Sequence, residues 1–206
     1  MSFDSYKNVA EVLKEYSIVS HEENFIVETE INIRDAFRED LEFSLREFTF
    51  EESEYAICEA IIFPILKEIY RSYRESFSLW SHKSLIYDTM LSGIPDYIVA
   101  KKSPLGKEVF EQPFFVAVEA KRDDFIKGWG QCLAEMVAIQ KINQQSEFQN
   151  IFGIVSNGQF WQFGKLKSNL FTREIKSYTL SDLDMLFAAL NYIFVQCRLE
   201  LELMSQ

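Results

Sequence analysis

Asp96, Glu119 and Lys121 have the side-chain types and the spacing to do chemistry. Glu119-Ala120-Lys121 closes the most apolar run of the chain, Phe114 to Val118. Side chains alternate along a strand, so Glu119 and Lys121 leave on one face and Ala120 on the other. Burying charge is costly unless it is paired or bound to a metal. An acid and an ammonium at the end of a buried strand, beside a second carboxylate, can hold a divalent cation and orient a water. Asp96, after Ile94-Pro95, supplies that carboxylate if its strand and the Glu119 strand form a hairpin. Hard oxygen donors with open positions suit Mg²⁺ (or Mn²⁺). The chemistry such a site favours is in-line attack on a phosphoryl group, with Lys121 orienting the water or stabilising developing charge. The competing reading makes Asp96 a strand-start residue beside a turn and Glu119–Lys121 a surface pair of little energetic value.

These groups need strands and helices to hold them. Ile94 to Ala100 is expected as a strand after the Ser92-Gly93 turn, and Pro113 to Ala120 as a central, doubly covered one. Lys101 to Gln112, with Ser103-Pro104 and Gly106, is the loop between them. Asp123 to Asn143 has helical spacing, with Phe125, Trp129, Cys132, Leu133, Met136 and Val137 on one face. Upstream, Ser53 to Tyr73 is a helix capped by Ser53, with acids in its first turn and Pro64 as a kink or break. Ile151 to Ser156 and Gln159 to Leu166 read as strands joined across Asn157-Gly158, a strong hairpin signal, and Phe171 to Tyr178 as a third. Toward the ends, Ser5 to Tyr16 reads as a helix and Phe25 to Ile33 as a strand. Ala36 to Phe48 favours a helix with a strand reading open, and Ser181 to Leu203 is a helix capped by Ser181. The expected class is α/β (α+β), a central mixed β-sheet flanked by helices.

The 206 residues are 48% hydrophobic and 15% aromatic, which excludes global disorder and fits one domain over 1–206. Cys58, Cys132 and Cys197 lie far apart and outside any CxxC pair, so buried, reduced thiols in a cytoplasmic protein are expected. Two histidines and no cysteine cluster make a structural zinc site a poor fit. Met1 to Glu15 lacks a signal-like apolar region, and no apolar stretch nears the roughly 20 residues of a membrane span.

A net charge of −11 argues against a nucleic-acid partner. Residues 22–59, however, hold 13 acidic and three basic side chains, and the rest of the chain 19 and 18. The excess is thus confined to an acidic amino-terminal extension. Lys101, Lys102 and Lys107, with Arg122 and Lys127, are candidates to track phosphates, against a reading as solvated charge. Trp161 and Phe163 are candidates to stack on bases, against a core role, and His82 to assist catalysis.

Ile94-Pro95-Asp96 followed by Val118-Glu119-Ala120-Lys121 resembles the motif of the PD-(D/E)XK nuclease superfamily. The order of helix, strand hairpin, helix and further strands over about residues 50–165 resembles that superfamily's restriction-endonuclease-like core. The resemblance implies a Mg²⁺-dependent DNA nuclease in a restriction, repair or mobile-element setting. Asp96 and Glu119 would bind the metal and Lys121 would assist the attacking water. Ser53-Glu54 through Phe63-Pro64-Ile65-Leu66 is similar to the first helix in nuclease domains of type I restriction subunits. That implies a further metal carboxylate at Glu54, with Glu59 as alternate; a plain acid at a helix N-terminus is the other reading. The resemblance also places Gln131, off the apolar stripe of its helix, in the catalytic set, and implies a homodimer that cuts both strands. The rival expectation is a non-catalytic member of the same fold, a protein-binding or assembly module with the acidic segment as its partner surface. Convergence of the carboxylates separates the two, since carboxylates on opposite faces of the sheet cannot share a cation. Nothing in the sequence asks for the deep apolar pocket of a small-molecule enzyme.

Overall fold

The computed structural model describes residues 2–50, 52–144 and 149–204. A 3₁₀ turn (Phe3–Ser5) leads into α1 (Val9–Tyr16), β1 (Val19–Glu23) and α2 (Asp35–Glu47). Next come α3 (Glu54–Ile57), a π-helical turn (Cys58–Ile62) and α4 (Phe63–Arg71), which run on as one interrupted helix. The strands β2 (Phe77–Ser81), β3 (Leu85–Ile86), β4 (Ser92–Gly93), β5 (Tyr97–Lys101) and β6 (Glu111–Ala120) precede α5 (Phe125–Asn143). The strands β7 (Ile151–Ser156), β8 (Phe160–Lys167), β9 (Leu170–Glu174) and β10 (Tyr178–Thr179) lead to α6 (Leu183–Leu203).

One mixed sheet has the order β1-β9-β8-β7-β6-β5-β2, with β10 alongside β8. Strand β5 is antiparallel to both its neighbours, β2 and β6, whereas β6 and β7 are parallel. Parallel neighbours need a long crossover, usually a helix, and α5 is that crossover. Helices α2, α4 and α6 cover one face of the sheet through Phe37, Leu41, Ile65, Leu66, Phe187 and Phe194. Helices α1 and α5 cover the other through Val12, Trp129, Leu133 and Met136. Strand β6 lies between the layers, so its run from Pro113 to Ala120 is buried on both faces. A two-sided apolar strand in mid-sheet is the composition this position demands.

Several expectations change. Phe25 to Ile33 is not a strand; the amino-terminal strand is the fully exposed β1, parallel to β9. Residues 25–30 have side-chain partners instead of a ladder. Glu174 accepts the Phe25 and Ile26 N–H groups, and Asn191 Nδ2 donates to the Thr29 and Glu30 carbonyls. The third strand of the β7–β8 region breaks into β9 and β10. Asp182, not Ser181, caps α6, accepting from Met185 N. The hairpin at Asn157-Gly158 forms, centred one residue later: Gly158 takes a φ of +84°, and Asn157 Oδ1 accepts from Gln159 N and Phe160 N. Strand β2 and the small β3–β4 pair are additions. Among the described residues, no helix is long and apolar enough to cross a membrane.

Candidate functional site

Strands β5 and β6 bring the chemistry-bearing residues together at one end of the sheet. The register pairs Tyr97 with Val118, so one step outward Asp96 stands opposite Glu119. Alternation puts both on the α5 face, because Ile98 and Ala117, two residues inward, pack in the α5-side core. Asp96 Oδ2 accepts the Ala120 N–H at 2.7 Å, which locks the carboxylate across the strand ends. Lys121 N donates to Ser156 O at 2.9 Å, extending the β6–β7 ladder through the lysine. Lys121 therefore leaves on the same face as Glu119, and its Nζ lies 2.6 Å from Glu119 Oε1. Helix α5 accommodates the lysine by having glycine at 128. A Cβ there would sit 2.8 Å from both Lys121 Cγ and Val155 Cγ1.

Glu54 joins from the first turn of α3, which Ser53 caps by accepting from Ala56 N. Its Oε2 lies 3.6 Å from Lys121 Nζ. Glu59 instead lines a cavity on the other side of that helix. Glu119 and Lys121 are almost fully buried, at 5% and 8% exposure, whereas the Asp96 side chain is 20% exposed. Burial raises the Asp96 pKa, opposed by the Ala120 hydrogen bond and by Lys121 and His82. Burial and the Asp96 charge push Glu119 up to about 7, with Lys121 pulling the other way. Burial alone lowers the Lys121 pKa, but Glu119, Glu54 and Asp96 more than offset it, so the lysine stays charged. The result is a mixed acid–ammonium edge with one partly open carboxylate.

Two further residues stand at this edge, the first of them without a role in the sequence reading. Glu135, on α5, is 1% exposed and hydrogen-bonded to Glu119, and its Oε2 has no partner. Burial, then the Glu119 charge, raises its carboxyl well above the ordinary range. The signal was present: α5 is buried on all sides from Gly128 to Ile139, and an acid inside such a run cannot be a solvated one. His82 is the other, considered for catalysis and now placed. It ends β2 in the left-handed region (φ +49°), its N–H donates to Asp96 O at 2.9 Å, and its Nε2 lies 3.4 Å from Asp96 Oδ1. A non-glycine residue held there costs about 1–3 kcal/mol, a strain typical of functional sites.

The other candidates have other side-chain partners or surroundings. Gln131 is buried on α5, and its Nε2 donates to Asp4 Oδ1 of the amino-terminal 3₁₀ turn, so that turn takes up its amide nitrogen. Lys101 and Lys102 sit at the far end of β5, about 16 Å along the strand from Asp96, and Lys102 pairs with Glu75. Arg122 pairs with Asp123 and lines an open cleft of about 340 Å³ with Phe50, Ile57, Asn157 and Gln159. Lys127, in the first turn of α5, is half-buried. Trp161 and Phe163 are core residues at 0% exposure, so neither can stack on a base. The three cysteines are buried and unpaired, and burial pushes the Cys58 thiol up to about 12, which removes it as a nucleophile.

Among the described residues, no three His, Cys, Asp or Glu side chains are grouped as ready metal ligands. The Lys121 ammonium stands among the acids instead. The donor chemistry nonetheless suits a hard cation: carboxylate oxygens only, one of them partly open, with an unpartnered buried acid oxygen on the neighbouring helix. In comparisons with known proteins, the chain matches no family model and no curated protein.

Proposed function

We propose that the protein is a metal-dependent DNA nuclease whose active edge is Asp96, Glu119, Lys121 and Glu54. The observation that carries this reading is the convergence of all four on one end of the β5–β6 pair, with Lys121 Nζ within 3.6 Å of both Glu119 and Glu54. Support from the fold is the run α4, β2, β5, β6, α5, β7: an antiparallel triplet, a crossover helix and a parallel strand. That order agrees with a restriction-endonuclease-like core of the PD-(D/E)XK kind. Asp96 and Glu119, with Glu54, are the residues to hold Mg²⁺ or Mn²⁺. The chemistry such an ion supplies is polarisation of a phosphoryl oxygen and acidification of a nearby water. Lys121, charged and aimed along the edge, donates a hydrogen bond to the attacking water or to the phosphate as its charge develops. Glu135 stands behind Glu119 as a positioning residue, and His82 holds the outer oxygen of Asp96.

A second reading, a non-catalytic module that binds a protein partner, has one observation in its favour. Acidic residues dominate segment 22–59, and α2 exposes Glu39, Glu42 and Glu47 beside the rings of Phe43 and Phe48. Cleavage decides between them. Supercoiled, linear and branched DNA are incubated at low salt with Mg²⁺ or Mn²⁺ and wild-type protein, Asp96→Ala or Lys121→Ala. The nuclease reading expects cleavage by wild type only, abolished by EDTA and reduced at least about 100-fold in either variant, the scale of losing an electrostatic or proton-transfer group. Equal nicking by wild type and both variants, or none by any, contradicts it.

A further inference from the structure

A second concavity adjoins the Asp96 edge on the opposite, α4-side face of the sheet. It has a volume of about 220 Å³ and is lined by Tyr55, Cys58, Phe63, His82 and Tyr97, among others. Whole-ligand pockets run to roughly 300–1,000 Å³, so this one suits part of a ligand. Its lining is mostly planar rings. The Tyr55 and His82 rings lie 6.3 Å apart at 31°, and Phe63 stacks on Tyr97 at 5.9 Å and 18°. Tyr55 is 73% exposed, with its ring beside that of His82.

Irregular backbone builds this cavity from two sides. The π turn Cys58–Ile62 widens the helix at this point, and the Cys58 carbonyl accepts both Phe63 N–H and Tyr97 Oη. Such turns gather at functional sites. On the facing side, the left-handed His82 turns its ring into the cavity while its Nε2 stays 3.4 Å from Asp96 Oδ1. The histidine thus joins the two compartments. Glu59 and Ser81 complete the lining, and burial pushes the Cys58 thiol up to about 12.

We infer that this aromatic cavity receives one unpaired nucleobase of the DNA whose phosphate lies at Asp96. The inference rests on the nuclease reading and deepens it: the substrate at the cut is single-stranded, or locally unstacked, with the flanking base stacked on the exposed ring of Tyr55, beside His82. Stacking on an aromatic side chain is tolerant of base identity, so the pocket selects for an exposed base and not for a sequence.

The test uses oligodeoxynucleotides carrying a single 2-aminopurine, scanned through each position of a single-stranded and a fully paired 20-mer, in EDTA so that no chemistry intervenes. Base stacking quenches the 2-aminopurine emission, and anisotropy of a separate end label reports binding. Wild type is expected to quench one position strongly in the single strand and none in the duplex. Tyr55→Ala is expected to lose that quench and to weaken single-strand binding by roughly 5- to 150-fold, the range for losing one base stack. Tyr55→Phe, which keeps the ring, restores both, and His82→Gly, which also relieves the left-handed strain, behaves like Tyr55→Ala; the quench at one position is the signature that a merely structural role would not give. Binding by anisotropy with no quench at any position, or a quench that survives Tyr55→Ala and His82→Gly, overturns the base pocket. Wild type that still cleaves with Mn²⁺ under those results leaves the nuclease reading standing. No binding and no cleavage overturns both.

Discussion

Glu135 shows what a single buried acid does to this edge. It sits within an apolar helix, against Glu119, and leaves Oε2 without a partner. Burial, then the Glu119 charge, raises its pKa well above 4.5. The folded protein therefore keeps a proton that the unfolded chain releases, and the stability this contributes is fully present below the unfolded pKa. That stability falls as the pH rises from about 4.5 toward the folded value. Glu135→Gln removes the titration while keeping the shape. Relative to wild type, the variant should gain stability as pH rises, by up to about 1.4 kcal/mol per pH unit across that window. Urea unfolding of both proteins at several pH values reads this directly, and a pH-independent difference would show that Glu135 is not a buried neutral acid. The sequence made Asp96, Glu119 and Lys121 legible because alternation along an apolar strand fixes which side chains share a face. Glu135 was missed because its burial depends on α5 being covered all round. The contact of Gln131 Nε2 with Asp4 was equally illegible, because the two are 127 residues apart in the chain.

At the scale of elements, periodicity found what has periodicity. Helix α5, the Ser53-capped helix and strands β5 to β8 follow from apolar spacing and from Asn157-Gly158. Strand β1 has no such signal, because all five of its residues are exposed and it is held by parallel pairing to β9 alone. Phe25 to Ile33 has the composition of a strand, yet side-chain groups take up much of its backbone. Asn191 on α6 is central to this: it accepts from Tyr73 Oη and donates to the Thr29 and Glu30 carbonyls. Asn191→Leu strands the buried Tyr73 hydroxyl, at about 1–3 kcal/mol, and frees two part-buried carbonyls that water can reach. A loss of about 2–4 kcal/mol in urea unfolding is expected, together with faster amide exchange across residues 25–33. An unchanged exchange pattern there would mean that the sheet edge, not α6, holds this segment. The π turn before Pro64 likewise escapes sequence reading, since proline announces a break without specifying its geometry.

For the molecule as a whole, the sheet divides two chemistries: the acid–ammonium edge lies on the α5 side and the aromatic cavity on the α4 side, with His82 between them. The net charge of −11 sits mainly in residues 22–59, which include α2 on the α4-side face, so binding of a polyanion at this edge draws on short-range contacts more than on long-range attraction. The central claim is therefore that Asp96 and Glu119 share a divalent cation, and it can be tested without knowing the DNA substrate. Calorimetric titration of Mn²⁺ into metal-free protein at low salt measures it most directly. The account predicts saturable binding of one ion per chain by wild type and by Gln131→Ala, whose side chain is turned to Asp4, and its loss in Asp96→Ala. Absent binding in wild type, or binding undiminished in Asp96→Ala, would contradict the cation site and with it the nuclease reading.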